Sequence, residues 1–401
     1  MKIAIISVLV LSISSAYAAA PVFTRLFAAA DSAETAYLTP AGMTRLDDHS
    51  WVVSGLLFQY LGEFDIDDSL TTVSGGAPDT GSPILVPSMY YVRVIDPDWR
   101  AGVALTIPSG FGSSSGGSWA GRYYTTDSSL ILVSLSPSLA YRINERYSLG
   151  LGLNINYTTS EISSAIANSD PNRPDGNLDV ESDGLGVALV LSALVEWSPT
   201  TRFAINWHSE SDADSTPDVK ISGLDAPDEA REQLEAAISS LSITSKVPAQ
   251  FQFGAYHQLE NDWEITFDAI WVNFSEFGIT EISIVDNKVV APDEWYQDFW
   301  VFTAGLSFPV SERITGRVGG LYAQPAISDE NRSFSFALDR IYGLGAGIQY
   351  QYQSGHKLDV NLNLFDTGNA PIDTGDDPAR GRIVGEYDDH YAWGLEVSYH
   401  W

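Results

Sequence analysis

The chain has 401 residues, with 21 basic and 52 acidic side chains, a formal net charge of −31 and no cysteine. Such an acidic surface argues against a nucleic-acid partner, and the lack of cysteine removes disulfides and makes a structural zinc site unexpected.

The first residues predict a secretory signal peptide over 1–18. Lys2 supplies the charge, Ile3 to Ile13 the apolar run, and Ala16-Tyr17-Ala18 the small-residue exit. That run is shorter than the roughly 18 apolar residues of a spanning helix, so a removed leader is expected rather than an anchor. An exported chain without disulfides must be held by hydrogen bonds and packing, which a closed barrel supplies because its strands pair on both sides. Residues 19–48 do not alternate. Phe23 to Ala36 is alanine-rich, carries Arg25, Asp31 and Glu34, and predicts a short helix or two. Thr39-Pro40-Ala41-Gly42-Met43 predicts a turn ahead of a barrel over 49–401. Such a segment either stays in the periplasm or folds into the lumen as a hatch.

From residue 50 onward the signal is period-two alternation. In Ser148–Tyr157, Leu149, Leu151, Leu153, Ile155 and Tyr157 are apolar, while Ser148, Gly150, Gly152, Asn154 and Asn156 are small or polar. Successive strand side chains point to opposite faces, so one face meets an apolar medium and the other a wet or small-residue interior. The pattern recurs from Leu185 to Trp197, from Trp263 to Trp271, and from Trp393 to Trp401. These runs approach the roughly 9–11 residues of a transmembrane strand, and Trp197, Trp207, Trp263, Trp271, Trp300 and Tyr399 stand where an interfacial girdle would lie. The expected fold is therefore all-β, an antiparallel transmembrane barrel of about 14 strands. The predicted spans are 50–63, 84–96, 98–108, 128–143, 146–160, 182–198, 201–212, 244–259, 262–275, 297–308, 312–324, 334–352, 356–366 and 385–401. Short connections such as Asp96-Pro97-Asp98 and Ser198-Pro199-Thr200 alternate with long acidic loops at 64–83, 161–181, 213–243 and 276–296. The loop at 213–243 contains a predicted helix from Glu229 to Leu241. After the third strand comes Pro108-Ser109-Gly110-Phe111-Gly112, where proline removes a ladder donor and glycine permits a bulge. This predicts either a kink or the end of that strand.

Chemistry is sparse. The six histidines have no metal spacing, Asp212, Asp214 and Asp218 lack the rest of a calcium loop, and Asp389-His390 is an isolated acid-base dipeptide. No metal, cofactor or enzymatic activity is expected.

Several segments resemble, in order, those of the FadL-type transporters of long-chain fatty acids and other hydrophobic compounds. They are Thr39-Pro40-Ala41-Gly42-Met43 (with Thr in place of the usual Asn), Trp119-Ala120-Gly121-Arg122-Tyr123, Ala140-Tyr141-Arg142-Ile143-Asn144, Ser148-Leu149-Gly150-Leu151-Gly152, Gln324-Pro325, Asn331-Arg332-Ser333 and Asp339-Arg340. The resemblance implies a 14-stranded barrel in the outer membrane, a hatch within 19–48, and a third-strand kink at Pro108–Gly112 through which ligand leaves sideways into lipid. Positions that carry cationic side chains in the family fall on Ser164 and Gln297, neither of them charged. Arg122, Arg142, Arg332 and Arg340 remain as candidate partners for an anion, and neutral hydrocarbons or aromatics stand beside fatty acids as expected ligands. Expected partners are outer-membrane lipid, lipopolysaccharide and the barrel assembly machinery, for which the terminal aromatic strand resembles the recognition signal; a monomer is expected. A polar-solute porin and a structural or adhesive barrel are the competing expectations.

Overall fold

A strand whose alternate side chains are apolar cannot bury them against lipid unless its backbone groups are paired on both edges. The computed structural model, which describes residues 23–78, 83–170, 172–239, 241–284, 287–290, 296–334 and 337–401, meets that condition by closure. The signal peptide expected over 1–18 lies outside the described residues. Fourteen antiparallel barrel strands follow one another: β1 (Ser50–Ile66), β2 (Ile84–Val94), β3 (Trp99–Ser114), β4 (Asp127–Arg142), β5 (Tyr147–Ile166), β6 (Gly176–Ser198) and β7 (Thr201–His208). They continue as β8 (Gln250–Gln258), β9 (Glu264–Val272), β10 (Phe299–Ser311), β11 (Ile314–Ala323), β12 (Ile341–Gln351), β13 (Lys357–Asp366) and β14 (Val384–His400). β14 pairs back onto β1 from Val52↔His400 to Ile66↔Gly385. Beyond the ladder, Trp51 and Trp401 exchange backbone hydrogen bonds of 2.7 and 3.0 Å and stack their rings 6.1 Å apart.

The faces sort as their chemistry requires. On β5, Leu149, Leu151, Leu153 and Tyr157 point outward, and Ser148, Asn154 and Asn156 are buried in the lumen. Tyr147 and Tyr157 bracket the leucines at the two interfaces. Outward-facing Trp197, Trp263 and Tyr399 mark the rim with the short turns, and Trp207 and Trp300 mark the opposite rim.

Several strand ends differ from the sequence expectation. β3 does not stop at Pro108. Its pairing with β4 slips between Thr106 and Ser109, resumes at Ser109↔Leu132 and runs on to Ser114↔Asp127. The predicted strand 244–259 is two elements, because the break at Pro248 ends one strand at Val247 and β8 starts at Gln250. The predicted strand 334–352 starts only at Ile341, since Phe334 turns inward against Trp119, 4.8 Å away. Outside the barrel, Ser211–Ser215, Leu241–Val247, Gly278–Ile284 and Asn287–Val290 form a four-stranded ribbon, and helix α2 spans Asp228–Ser239 with no buried residue.

The described residues before β1, from Phe23 on, lie inside the lumen. Among them the helical elements are helix α1 (Thr35–Leu38) and a 3₁₀ turn over Pro40–Arg45, so Phe23 to Glu34 is less helical than its composition suggests. Phe23, Arg25 and Ala30 have positive φ angles of 54°, 64° and 50°, which L-residues adopt at a cost. Wall side chains compensate by bonding the hatch backbone. Arg202 donates to the Ala28 and Ala29 carbonyls at 3.1 and 3.2 Å, Ala41 N–H donates to Ser192 Oγ at 2.7 Å, and Arg100 donates to the Leu46 carbonyl at 2.8 Å. Glycine makes the close approach possible. A Cβ on Gly305 would strike Thr24, and one on Gly150 would strike the backbone at Pro40–Ala41.

Charge pins the hatch as well. Arg25 pairs with Asp31 and with Glu264 of β9. Protein surrounds Asp31, which by desolvation would raise its pKa. The charges of Arg25, Lys357, Arg317 and Arg202 outweigh that and hold the carboxyl well below the usual range. Its side chain keeps 43% of its surface because it opens on a small lumen cavity, so solvent screening trims this stabilisation.

Two outcomes are expected. Leu153→Arg, near the middle of the lipid-facing stretch of β5, should cost about 2–4 kcal/mol of folding free energy in vesicles, read from denaturant titration. For Asp31 the folded pKa is depressed, so its stabilisation is complete above about pH 4 and is lost as pH falls through and below that value. Asp31→Asn should therefore unfold at lower temperature than the parent at pH 7, and the two melting curves should converge as the pH drops below 4.

Candidate lumen site

Apolar side chains meet where hatch and wall close on each other. Phe23 packs edge-on to Phe365 at 5.4 Å, and Phe58 approaches the same ring at 6.1 Å. Phe27, Leu56, Ile270, Phe299 and Val301 are buried in the same cluster. Nearer the outer loops, Phe64 and Trp119 both pack edge-on to Phe334, at 5.2 and 4.8 Å, and Phe64 also meets Tyr387 at 5.0 Å. Oily rings thus occupy the lumen at two levels, against the hatch and nearer the outer loops.

The pairing of β2 with β3 stops short of the outer ends of both strands. The β2–β3 ladder runs from Val94↔Arg100 to Met89↔Leu105 and ends there, although both strands continue outward. A lumen cavity of about 70 Å³ reaches β3 at Pro108 and Ser109; it is bounded otherwise by residues of β4 to β8, such as Leu132 and His208, and by Phe27, Tyr37 and Leu38 of the hatch. A second, smaller cavity of about 30 Å³ lies between the hatch and β11–β14. It is strongly charged, with Arg25, Asp31, Glu34, Arg317, Lys357 and Asp359 around it.

The sequence-derived site residues fall in several places. Thr39 to Met43 sit in the hatch turn, where Thr39 Oγ1 accepts from Asn206 Nδ2 at 3.1 Å and Gly42 packs close to Ala30. Pro108 to Gly112 lie on β3 at and beyond the register slip. The four arginines do not converge. Arg122 is in an outer loop, with Nε 2.9 Å from Asp175 and Nη1 2.9 Å from the Ser74 carbonyl. Arg142 is at the opposite rim and donates to the Thr44 carbonyl of the hatch. Arg332 is enclosed, donating to Asp329 at 2.7 Å and to the Leu338 and Pro371 carbonyls at 3.1 Å each. Arg340 stands 3.9 Å from both Asp339 and Asp366. Each arginine thus has acceptors within the protein. Ser164 is buried at the outer end of β5, and Gln297 donates to the Pro325 carbonyl at 3.1 Å. Sequence reasoning missed His208, Asn154 and Gln252, which line the larger cavity from β7, β5 and β8. Their only sequence signal is polarity on an inward-facing strand position.

Comparison with known proteins agrees with this architecture. The family model described as outer membrane protein transport protein (OMPP1/FadL/TodX) matches residues 10–400. The long-chain fatty acid transport protein of Escherichia coli K12 is 22% identical over 389 residues, covering 87% of this chain and 85% of that protein. Outer membrane protein P1 of Haemophilus influenzae is 21% identical, covering 72% and 71%. Among solved structures, a Pseudomonas aeruginosa FadL homologue superposes with a TM-score of 0.80 at 16% identity over 98% of this chain and 99% of that one. The toluene transporter TodX of Pseudomonas putida gives 0.64 at 14% identity, over 91% and 93%. With a closed barrel, a lumen hatch and a family match over nearly its entire length, the chain belongs to the FadL/TodX family of outer-membrane transport proteins and is a transporter, not an enzyme.

Proposed function

We propose that this protein carries hydrophobic molecules across the outer membrane by facilitated diffusion, with capture at the outer loops, passage through the apolar lumen, and sideways exit between β2 and β3. The observation that carries the reading is the end of the β2–β3 ladder at Met89↔Leu105, with a lumen cavity that reaches β3 just beyond it at Pro108 and Ser109. Elsewhere in a lipid-facing wall the backbone is sealed by its neighbour, because unpaired groups are costly there. A hydrophobic solute gains about 0.8 kcal/mol for each methylene it withdraws from water. Aromatic rings along the lumen therefore favour such a solute, and a gap opening onto lipid lets it leave without re-entering water. A polar-solute porin needs an open wet bore, which the hatch and the ring clusters occupy.

Passage requires the hatch to shift. Its positive-φ residues and its reliance on wall side chains for backbone bonds support a segment that can be displaced without unfolding the barrel. Relatives named for long-chain fatty acids and for toluene bracket the substrate class. No bond is made or broken.

The absence of native cysteine gives a clean test. Continued in register past Met89↔Leu105, the next rung would be Ser88 opposite Thr106, both facing the lumen. Ser88→Cys with Thr106→Cys should form a disulfide that staples the gap. Uptake of a radiolabelled long-chain substrate should fall to background when oxidised and recover on reduction, with the barrel folded throughout. Parental uptake by the fully cross-linked protein would remove lateral exit from the mechanism.

A further inference from the structure

The cavity that reaches β3 at Pro108 and Ser109 holds two buried polar atoms that no hydrogen bond satisfies. Ser109 is 2% exposed and its Oγ has no hydrogen-bond partner. His208 is 9% exposed; its Nε2 has no partner within hydrogen-bond geometry, although the Gln252 side chain is close enough to interact with the ring. Both residues line the same cavity. Ser136 Oγ bonds Asn154 Oδ1 at 2.8 Å, and Asn154 Nδ2 faces His208 Nδ1 at 3.3 Å. A neutral imidazole carries its proton on either nitrogen, so Nε2 can give or take a hydrogen bond. Leaving buried polar atoms unmatched costs a fold stability, and such groups in a cavity point to something that fills it.

The surroundings define what fits. Phe27, Leu38, Leu132 and Val247 give the cavity an apolar side, and Asn154 and Gln252 add neutral amides. Among its described lining residues none is charged. A carboxylate would enter a low-dielectric site with no cation to compensate it.

Resting on the transport reading above, we infer that this cavity is a selectivity station for uncharged amphiphiles, in which Ser109 and His208 hydrogen-bond the head of a long-chain alcohol or similar neutral ligand just before it leaves through the wall. The hydroxyl, which can both donate and accept, bonds His208 Nε2 and exchanges a hydrogen bond with Ser109 Oγ. Its tail lies along the apolar side towards the gap.

The test compares three sixteen-carbon ligands, hexadecan-1-ol, hexadecane and hexadecanoate at pH 8, binding to the full-length protein in nanodiscs. The parent should favour the alcohol over each of the others by about tenfold, as one to two well-made hydrogen bonds allow. Ser109→Ala and His208→Leu should each erase most of that advantage and leave hexadecane binding unchanged, with heat-modifiable mobility on gels confirming folded barrels. Equal binding of hexadecanoate and the alcohol overturns the inference. So does an alcohol preference that survives both substitutions, since the two groups would then only hold water. If hexadecane binds but the alcohol gains nothing, this inference alone falls; if none of the three binds, the transport reading falls with it.

Discussion

Hydrocarbon offers no hydrogen bonds, and that single fact dictates the architecture of this protein. A chain with few long apolar runs can still cross a bilayer if every wall strand is paired on both edges. The sheet here satisfies the rule by returning β14 to β1 and clasping Trp51 to Trp401. The rule is relaxed at the outward ends of β2 and β3, where the ladder stops at Met89↔Leu105 while β3 stays paired to β4. A local lapse in pairing is affordable because the rest of the cylinder is sealed.

The interior obeys the complementary rule. An irregular segment inside a barrel needs as many hydrogen bonds as a helix would make for itself, and here the wall provides them. Arg100, Arg202 and Ser192 act on hatch backbone groups, and glycines at 150 and 305 let the chain approach closely enough to be bonded. The hatch is therefore defined as much by the strands around it as by its own sequence. Arg25, Asp31 and Glu264 add a charged latch on the side of the charged cavity, while the aromatic clusters occupy the path towards the outer loops.

This division explains what could be read in advance. The wall was legible because a side chain's face depends only on its parity along a strand, and Leu149 to Tyr157 or Trp393 to Trp401 follow that parity without interruption. The acidic loops and short turns were legible for the same reason, as breaks in parity. The short helix expected over Phe23 to Ala36 forms only at the end of that stretch, from Thr35 to Leu38, because alanine-rich composition reports local preference, whereas Arg202 acts on Ala28 and Ala29 from far along the chain. The strand assigned to 334–340 failed because Phe334 is apolar for an inward reason, contact with Trp119 and Phe64. Pro108 announced a disturbance, but whether β3 would end or slip depended on whether β4 could resume pairing at Leu132. The pairing of Ser109 with His208 across one cavity had no linear signature at all.

The clasp between Trp51 and Trp401 also constrains the order of assembly. First and last strands meet only once everything between them is in place, and loop closure of that span is an entropic cost that no local contact repays early. The leading segment is ringed by close approaches from β3, β5, β8, β10 and β12. Its enclosure therefore depends on strands from the whole circumference, and closing the seam and holding the hatch are one cooperative event rather than two local ones.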